Sequence, residues 1–106
     1  MKQLQMTALV LAFAGAAAWA ADATAGKAAY NRACKSCHGA DGTPNATAAK
    51  TLKVEMVHLG DAKVQALSDA EVKKMITQGV GKMKPVANLK GAQVDDVIAY
   101  MRTLKR

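Results

Sequence analysis

Apolar positions along this chain fall into blocks of different period, separated by polar and glycine-rich stretches. From Thr24 onwards, Tyr30, Ala33, Cys34 and Cys37 recur at i, i+3, i+4 and i+7, the spacing of an amphipathic helix. The last turn of that predicted helix carries both cysteines. Between Thr51 and Gly60 the apolar residues Leu52, Val54, Met56, Val57 and Leu59 follow neither the helical nor the strand period, which predicts a loop or a short irregular element. Ser68-Asp69-Ala70-Glu71 then forms a capping box, and Leu67 is placed to pack on Val72 as a hydrophobic staple. This helix is expected to run to about Gln78 and to stop at Gly79.

The final block, Val94, Val97, Ile98, Met101 and Leu104, is again helical. Asp95 and Asp96 lie in its early part and Arg102, Lys105 and Arg106 at its end, as the helix dipole favours. Its start is weakly marked, with Asn88 the only good capping residue nearby. Tyr100 sits at the edge of the apolar face, where it can meet the first helix; Gly26, one turn before Tyr30, permits close approach there. The pattern is that of an all-α domain with no internal repeat or long linker.

Composition divides the chain. Residues 1–20 carry Lys2, then the apolar run Ala8 to Ala21, with the small-x-small signal Ala18-Trp19-Ala20, and read as a cleaved secretory signal. A run of 14 residues falls short of the roughly 20 that span a bilayer as a helix. No cysteine near the cleavage site offers a lipid attachment point, and no twin arginine precedes the run. The expected product is residues 21–106, one domain, soluble after signal cleavage, exported to the periplasm and without stable membrane insertion. Trp19 and Phe13 leave with the signal, so about 86 residues keep only two aromatic rings, Tyr30 and Tyr100. Such a core is undersized for a chain with so much surface, and something bulky and apolar has to complete it.

The chemistry that supplies it is written at Cys34-Lys35-Ser36-Cys37-His38. A CxxC pair on one helical turn can form thioethers to the two vinyl groups along one edge of a porphyrin, and the following His is delivered to the iron. A disulfide or dithiol centre would need only the cysteines and would leave His38 idle. A zinc site could recruit Cys34, Cys37 and His58, but the second ligand pair at regular spacing is missing. Export favours covalent haem, whose burial would couple folding to cofactor binding; the haem-free chain is expected to be largely unfolded. A ligating His usually gives its other ring nitrogen an acceptor, and the turn residues Gly39, Asp41, Gly42, Pro44 and Asn45 offer carbonyls, that of Pro44 first.

A second iron ligand is sought among the methionines. Met75 and Met101 lie on helical apolar faces with Val72 and Ile76, and with Val97 and Ile98, which makes them core. Met83 sits in Gly79-Val80-Gly81-Lys82-Met83-Lys84-Pro85, a loop with no amphipathic face to serve. A thioether opposite His favours the softer ferrous iron and raises the potential. Met83 is the first choice; Met56, His58 and an open site are the alternatives.

With Gly26 and Tyr30, the attachment motif through Gly39, the Gly-Lys-Met loop ending at Met83, and Ala99-Tyr100-Met101-Arg102-Thr103-Leu104, the chain resembles a small monohaem class I cytochrome c over essentially its whole mature length. The resemblance implies a few helices wrapped around one covalently bound haem c, N- and C-terminal helices crossing, Cys34 and Cys37 as thioether positions, and His38 and Met83 as axial ligands. Many relatives have proline directly after the ligand methionine; here Lys84 intervenes before Pro85.

Charge bears on partners. The full chain is +7; Lys2 is the only charge in residues 1–20, so 14 basic and 8 acidic residues remain, a net +6. Lys35, Lys82 and Lys84 flank the predicted ligands, suited to redox proteins with acidic docking surfaces. Nucleic-acid binding is disfavoured by export and by the lack of aromatics among the basic residues. The expected function is one-electron transfer by a monomeric carrier in the respiratory chain. No catalytic residues are expected, because six-coordinate iron leaves no open position. The alternative is a haem-based ligand sensor, or an electron-transfer subunit of a larger oxidoreductase, with a displaceable or absent distal ligand.

Overall fold

The computed structural model describes residues 20–106, and the signal assigned to residues 1–20 lies, but for Ala20, outside them. The helices are α1 (Ala23–Ala33), α2 (Lys35–His38), α3 (Ala46–Leu52), α4 (Ala62–Gln65), α5 (Asp69–Gln78) and α6 (Ala92–Thr103). The described residues contain no strand, only an isolated bridge between Val80 and Met83. No helix among them is long and apolar enough to cross a membrane.

The frame is the crossing of α1 and α6. Asp22 caps α1, its carboxylate accepting from the Thr24 and Ala25 N–H groups, while its own N–H donates to Asp96 Oδ1 at 2.8 Å. Gly26 lies directly on α6: a Cβ at this position would overlap the Asp96 carbonyl. One turn on, the Tyr30 and Tyr100 rings meet edge to face, with centroids 5.0 Å apart. Val94, Val97, Ile98 and Met101 of α6 bury against Ala29 and Tyr30 and against Val72 and Ile76 of α5.

Helix α5, packed against α6, forms as its residues dictate. Ser68 Oγ accepts from the Glu71 N–H, and the Glu71 carboxylate accepts from the Ser68 N–H, so both halves of the capping box are made. Leu67 and Val72 pack together with the core, and α5 ends at Gly79. Arg102 of α6 ties this region down by donating to the Gln65 carbonyl at 2.9 Å, the Leu67 carbonyl and the Asp69 carboxylate at 2.8 Å.

Several expectations need correcting. The first helix is interrupted at Cys34, whose φ of −122° breaks the run, so the motif's last residues form the separate turn α2. The helices α3 and α4 were not expected. Asn45 and Asp61 cap them, accepting from Ala48 N–H and Lys63 N–H. Neither carries an apolar stripe long enough to give a period. The irregular stretch thus begins after Leu52, and α6 starts after Gly91 without the Asn88 cap.

Candidate functional site

The end of α1, the turn α2, the segment after α3 and the loop between α5 and α6 enclose a cavity of about 800 Å³. Cys34, Cys37 and His38 line one part of it and Met83 another; Leu52, Val54, Val57, Val80 and Val86 supply apolar wall. A smaller cavity of about 90 Å³ continues inward against Ile76, Val97 and Ile98, and Cys34, His38 and Met83 line both. The α1/α2 motif and the Met83 loop, far apart in sequence, therefore share one crevice.

Met83 is presented by a tight turn. The Val80 N–H donates to the Met83 carbonyl at 3.0 Å and the Met83 N–H to the Val80 carbonyl at 2.9 Å, closing a two-residue connection through Gly81 and Lys82. Gly81 has φ +56° and Lys82 is not in the left-handed region, the pattern of a II′ turn with glycine first. The turn leaves the Met83 thioether half-buried against the core.

The chemistry at the motif fits a large apolar group held by iron ligation. His38 Nδ1 is buried and has no hydrogen-bond partner, so the expected acceptor, the Pro44 carbonyl, is not engaged. Burial holds the His38 imidazole below its ordinary range, favouring the neutral form that a metal ligand requires. Burial, with Cys37 adding to it, pushes the Cys34 thiol up to about 11. That is opposite to the lowered value of a reactive CxxC thiolate and argues against a dithiol redox centre. The cavity volume lies within the roughly 300–1,000 Å³ of cofactor and small-molecule pockets.

The remaining candidates separate by position. His58 does not line either cavity; its Nδ1 accepts from the Gly60 N–H at 2.8 Å, fixing the 58–60 turn. Among the described residues no group of three or more His, Cys, Asp or Glu side chains is arranged to hold a metal ion, so Cys34, Cys37 and His58 are not brought together as such a group. Met56 lines the large cavity but not the inner one, whereas Met83 lines both beside His38. Met101 is core, and Met75 lines the inner cavity from α5. Lys82 and Lys84 are exposed at the large cavity's edge; Lys35 is exposed but outside its lining.

Sequence reasoning missed the anchoring of the turn that follows His38. The Tyr30 hydroxyl donates to the Gly39 carbonyl at 2.7 Å and lies 3.3 Å from that of His38; the Tyr100 hydroxyl donates to the Ala40 carbonyl at 3.2 Å. No spacing rule links residues 60 positions apart.

The sequence profile of the family described as cytochrome C oxidase, cbb3-type, subunit III matches residues 21–101. No curated protein matches the chain. Among solved structures, the chain is similar to KustC0563, a c-type cytochrome, at 28% identity and a TM-score of 0.65, covering 76% of this chain and 98% of that one. It is also similar to a Tyr-to-Phe mutant of Kustc0563, at 26% identity and a TM-score of 0.61 with the same coverage.

Proposed function

The chain belongs to the cytochrome c family described as cytochrome C oxidase, cbb3-type, subunit III, with a covalently bound c-type haem as cofactor, and from that premise we propose that it is a periplasmic one-electron carrier with His/Met ligation. The observation that carries the reading is the single crevice that Cys34, Cys37, His38 and Met83 share. When bound, the haem supplies an Fe(III)/Fe(II) couple. Cys34 and Cys37 would hold it through thioethers, and His38 would ligate its iron from the attachment side. Met83 is favoured over Met56 as the opposing ligand because it faces both cavities beside His38.

The protein's own contribution is environment and docking. Apolar side chains around the crevice exclude water and lower the local dielectric, which strengthens every electrostatic interaction inside. As an iron ligand, the thioether of Met83 would favour the softer ferrous state. Lys82 and Lys84 at the edge favour a redox partner with an acidic patch, by long-range attraction that sets encounter rate more than affinity. If His38 and Met83 both held the iron, no substrate chemistry would be required of the chain.

The family's description as an oxidase subunit supports a second reading, an electron-transfer subunit of a larger oxidoreductase with a displaceable distal ligand. Ferric absorption spectra of the exported holoprotein and of Met83→Ala distinguish them. A weak far-red sulfur-to-iron band that disappears in Met83→Ala and persists in Met56→Ala supports the carrier. Its absence from the wild type, together with rapid carbon monoxide binding to the ferrous form, would establish the second reading instead.

A further inference from the structure

We propose that Tyr30 and Tyr100 are positioning residues for the iron ligand His38, acting together as a phenolic clamp on the backbone carbonyls that follow it. The inference rests on His38 being the proximal ligand, as proposed above. Its basis is hydrogen-bond accounting at residues 38–40. At α2 the carbonyls of the capping residue Cys34 and of Lys35 accept backbone N–H groups, and that of Cys37 accepts from Asn45 N–H at 2.9 Å. The carbonyls of His38, Gly39 and Ala40 accept from no backbone donor, and the tyrosine hydroxyls supply their hydrogen bonds.

The two hydroxyls arrive from opposite ends of the sequence. Tyr30 comes from α1, is 1% exposed and donates to Gly39 at 2.7 Å; Tyr100 comes from α6 and donates to Ala40 at 3.2 Å. Their rings pack edge to face, so each fixes the other's direction. The two hydroxyls thus restrain the backbone that carries His38, and the crossing of α1 and α6 is linked mechanically to the residue that would hold the iron.

The test uses the holoprotein and Tyr30→Phe, Tyr100→Phe and the double variant, which remove the hydroxyls and keep the rings. Val94→Ala, a fully buried position on α6, serves as the stability control. Amide exchange at residues 39–42, hyperfine-shifted proton resonances of His38, and the reduction potential are measured for each. Loss of one hydrogen bond is expected to accelerate local exchange roughly fivefold. The His38 resonances and the potential should move in each tyrosine variant and move further in the double. Val94→Ala should lower stability without moving them. Tyrosine variants that lose stability as Val94→Ala does, with His38 resonances and potential unchanged, would reduce the pair to helix packing and overturn the proposal. If Tyr30→Phe does not retain haem, Tyr100→Phe, whose ring is only half-buried, decides the matter alone. Absence of hyperfine shifts at His38 in the wild type would instead overturn the ligand assignment, and the clamp with it.

Discussion

Gly26→Ala is expected to destabilise the holoprotein although alanine is the better helix former. Gly26 is buried in α1, and the added methyl would occupy the place of the Asp96 carbonyl, with the Tyr100 Cβ 3.1 Å away. Backbone cannot rotate aside as a side chain can, so α1 and α6 must separate. Overpacking of this kind costs about 1–3 kcal/mol. Separation also weakens the Tyr30–Tyr100 ring pair, worth ~0.5–1.5 kcal/mol, and the Asp22 N–H bond to Asp96, worth on the order of 1 kcal/mol at an exposed site. Against these stands a propensity gain of about 1 kcal/mol for replacing glycine inside a helix. The net is a loss of about 1.5–4.5 kcal/mol, or a fall in Tm of roughly 6–36 °C for a domain of this size. Urea unfolding followed by far-ultraviolet circular dichroism and by haem absorbance measures it, with exposed Lys27→Ala as a neutral neighbour. A Gly26→Ala protein within about 0.5 kcal/mol of wild type, or more stable, would refute the reasoning, because propensity alone would then govern the site.

Arg102→Met should cost about 2–3 kcal/mol in urea unfolding, since the Gln65 and Leu67 carbonyls lose their charged donor, whereas Asp69→Ala, at the exposed end of the same network, should cost under about 1 kcal/mol. Blocking attachment with Cys34→Ala/Cys37→Ala should abolish most of the far-ultraviolet helical signal, because a cavity of about 800 Å³ leaves the core incomplete; native helicity without haem would contradict this. Electron transfer to an acidic redox protein should slow as ionic strength rises, and Lys82→Glu/Lys84→Glu should slow it further while flattening the salt dependence, read by stopped-flow absorbance. The Asp41 carboxylate accepts the Thr43 N–H at 3.0 Å and is held below its ordinary value near 3.8. Its folded-state pKa is therefore depressed, so its stabilisation is present above the unfolded value and lost as pH falls through the folded one; Asp41→Asn should flatten the acid limb of a stability–pH profile.

What could be read without tertiary contacts was local or covalent in origin. The cysteine spacing and adjacent His announce haem because thioether chemistry acts within one helical turn. The capping box at Ser68 and the face Val94, Val97, Ile98 and Met101 were legible because caps and stripes depend on neighbours three or four residues away. The family pattern carried the all-α architecture and the crossing at Gly26. The helices α3 and α4 were not legible, being too short to show a period and dependent on the Asn45 and Asp61 caps. Nor was the break at Cys34, where two helical turns must diverge for the motif to face the crevice.

The choice among Met56, His58 and Met83 illustrates the limit most clearly. In the sequence Met56 and His58 lie in one irregular apolar stretch and Met83 in a glycine-rich loop, and nothing local says which way each side chain points. Only the fold turns His58 into a brace for the Gly60 amide and brings Met83 to the inner cavity beside His38, because facing direction depends on long-range packing. The acceptors of the Tyr30 and Tyr100 hydroxyls were equally invisible, since buried polar groups take whatever partner the assembled chain brings within reach. The sequence by itself determined the cofactor chemistry and the principal helices, which rest on covalent spacing and near-neighbour forces; the tertiary structure decided which side chains meet across the crevice, which rests on contacts between distant parts of the chain.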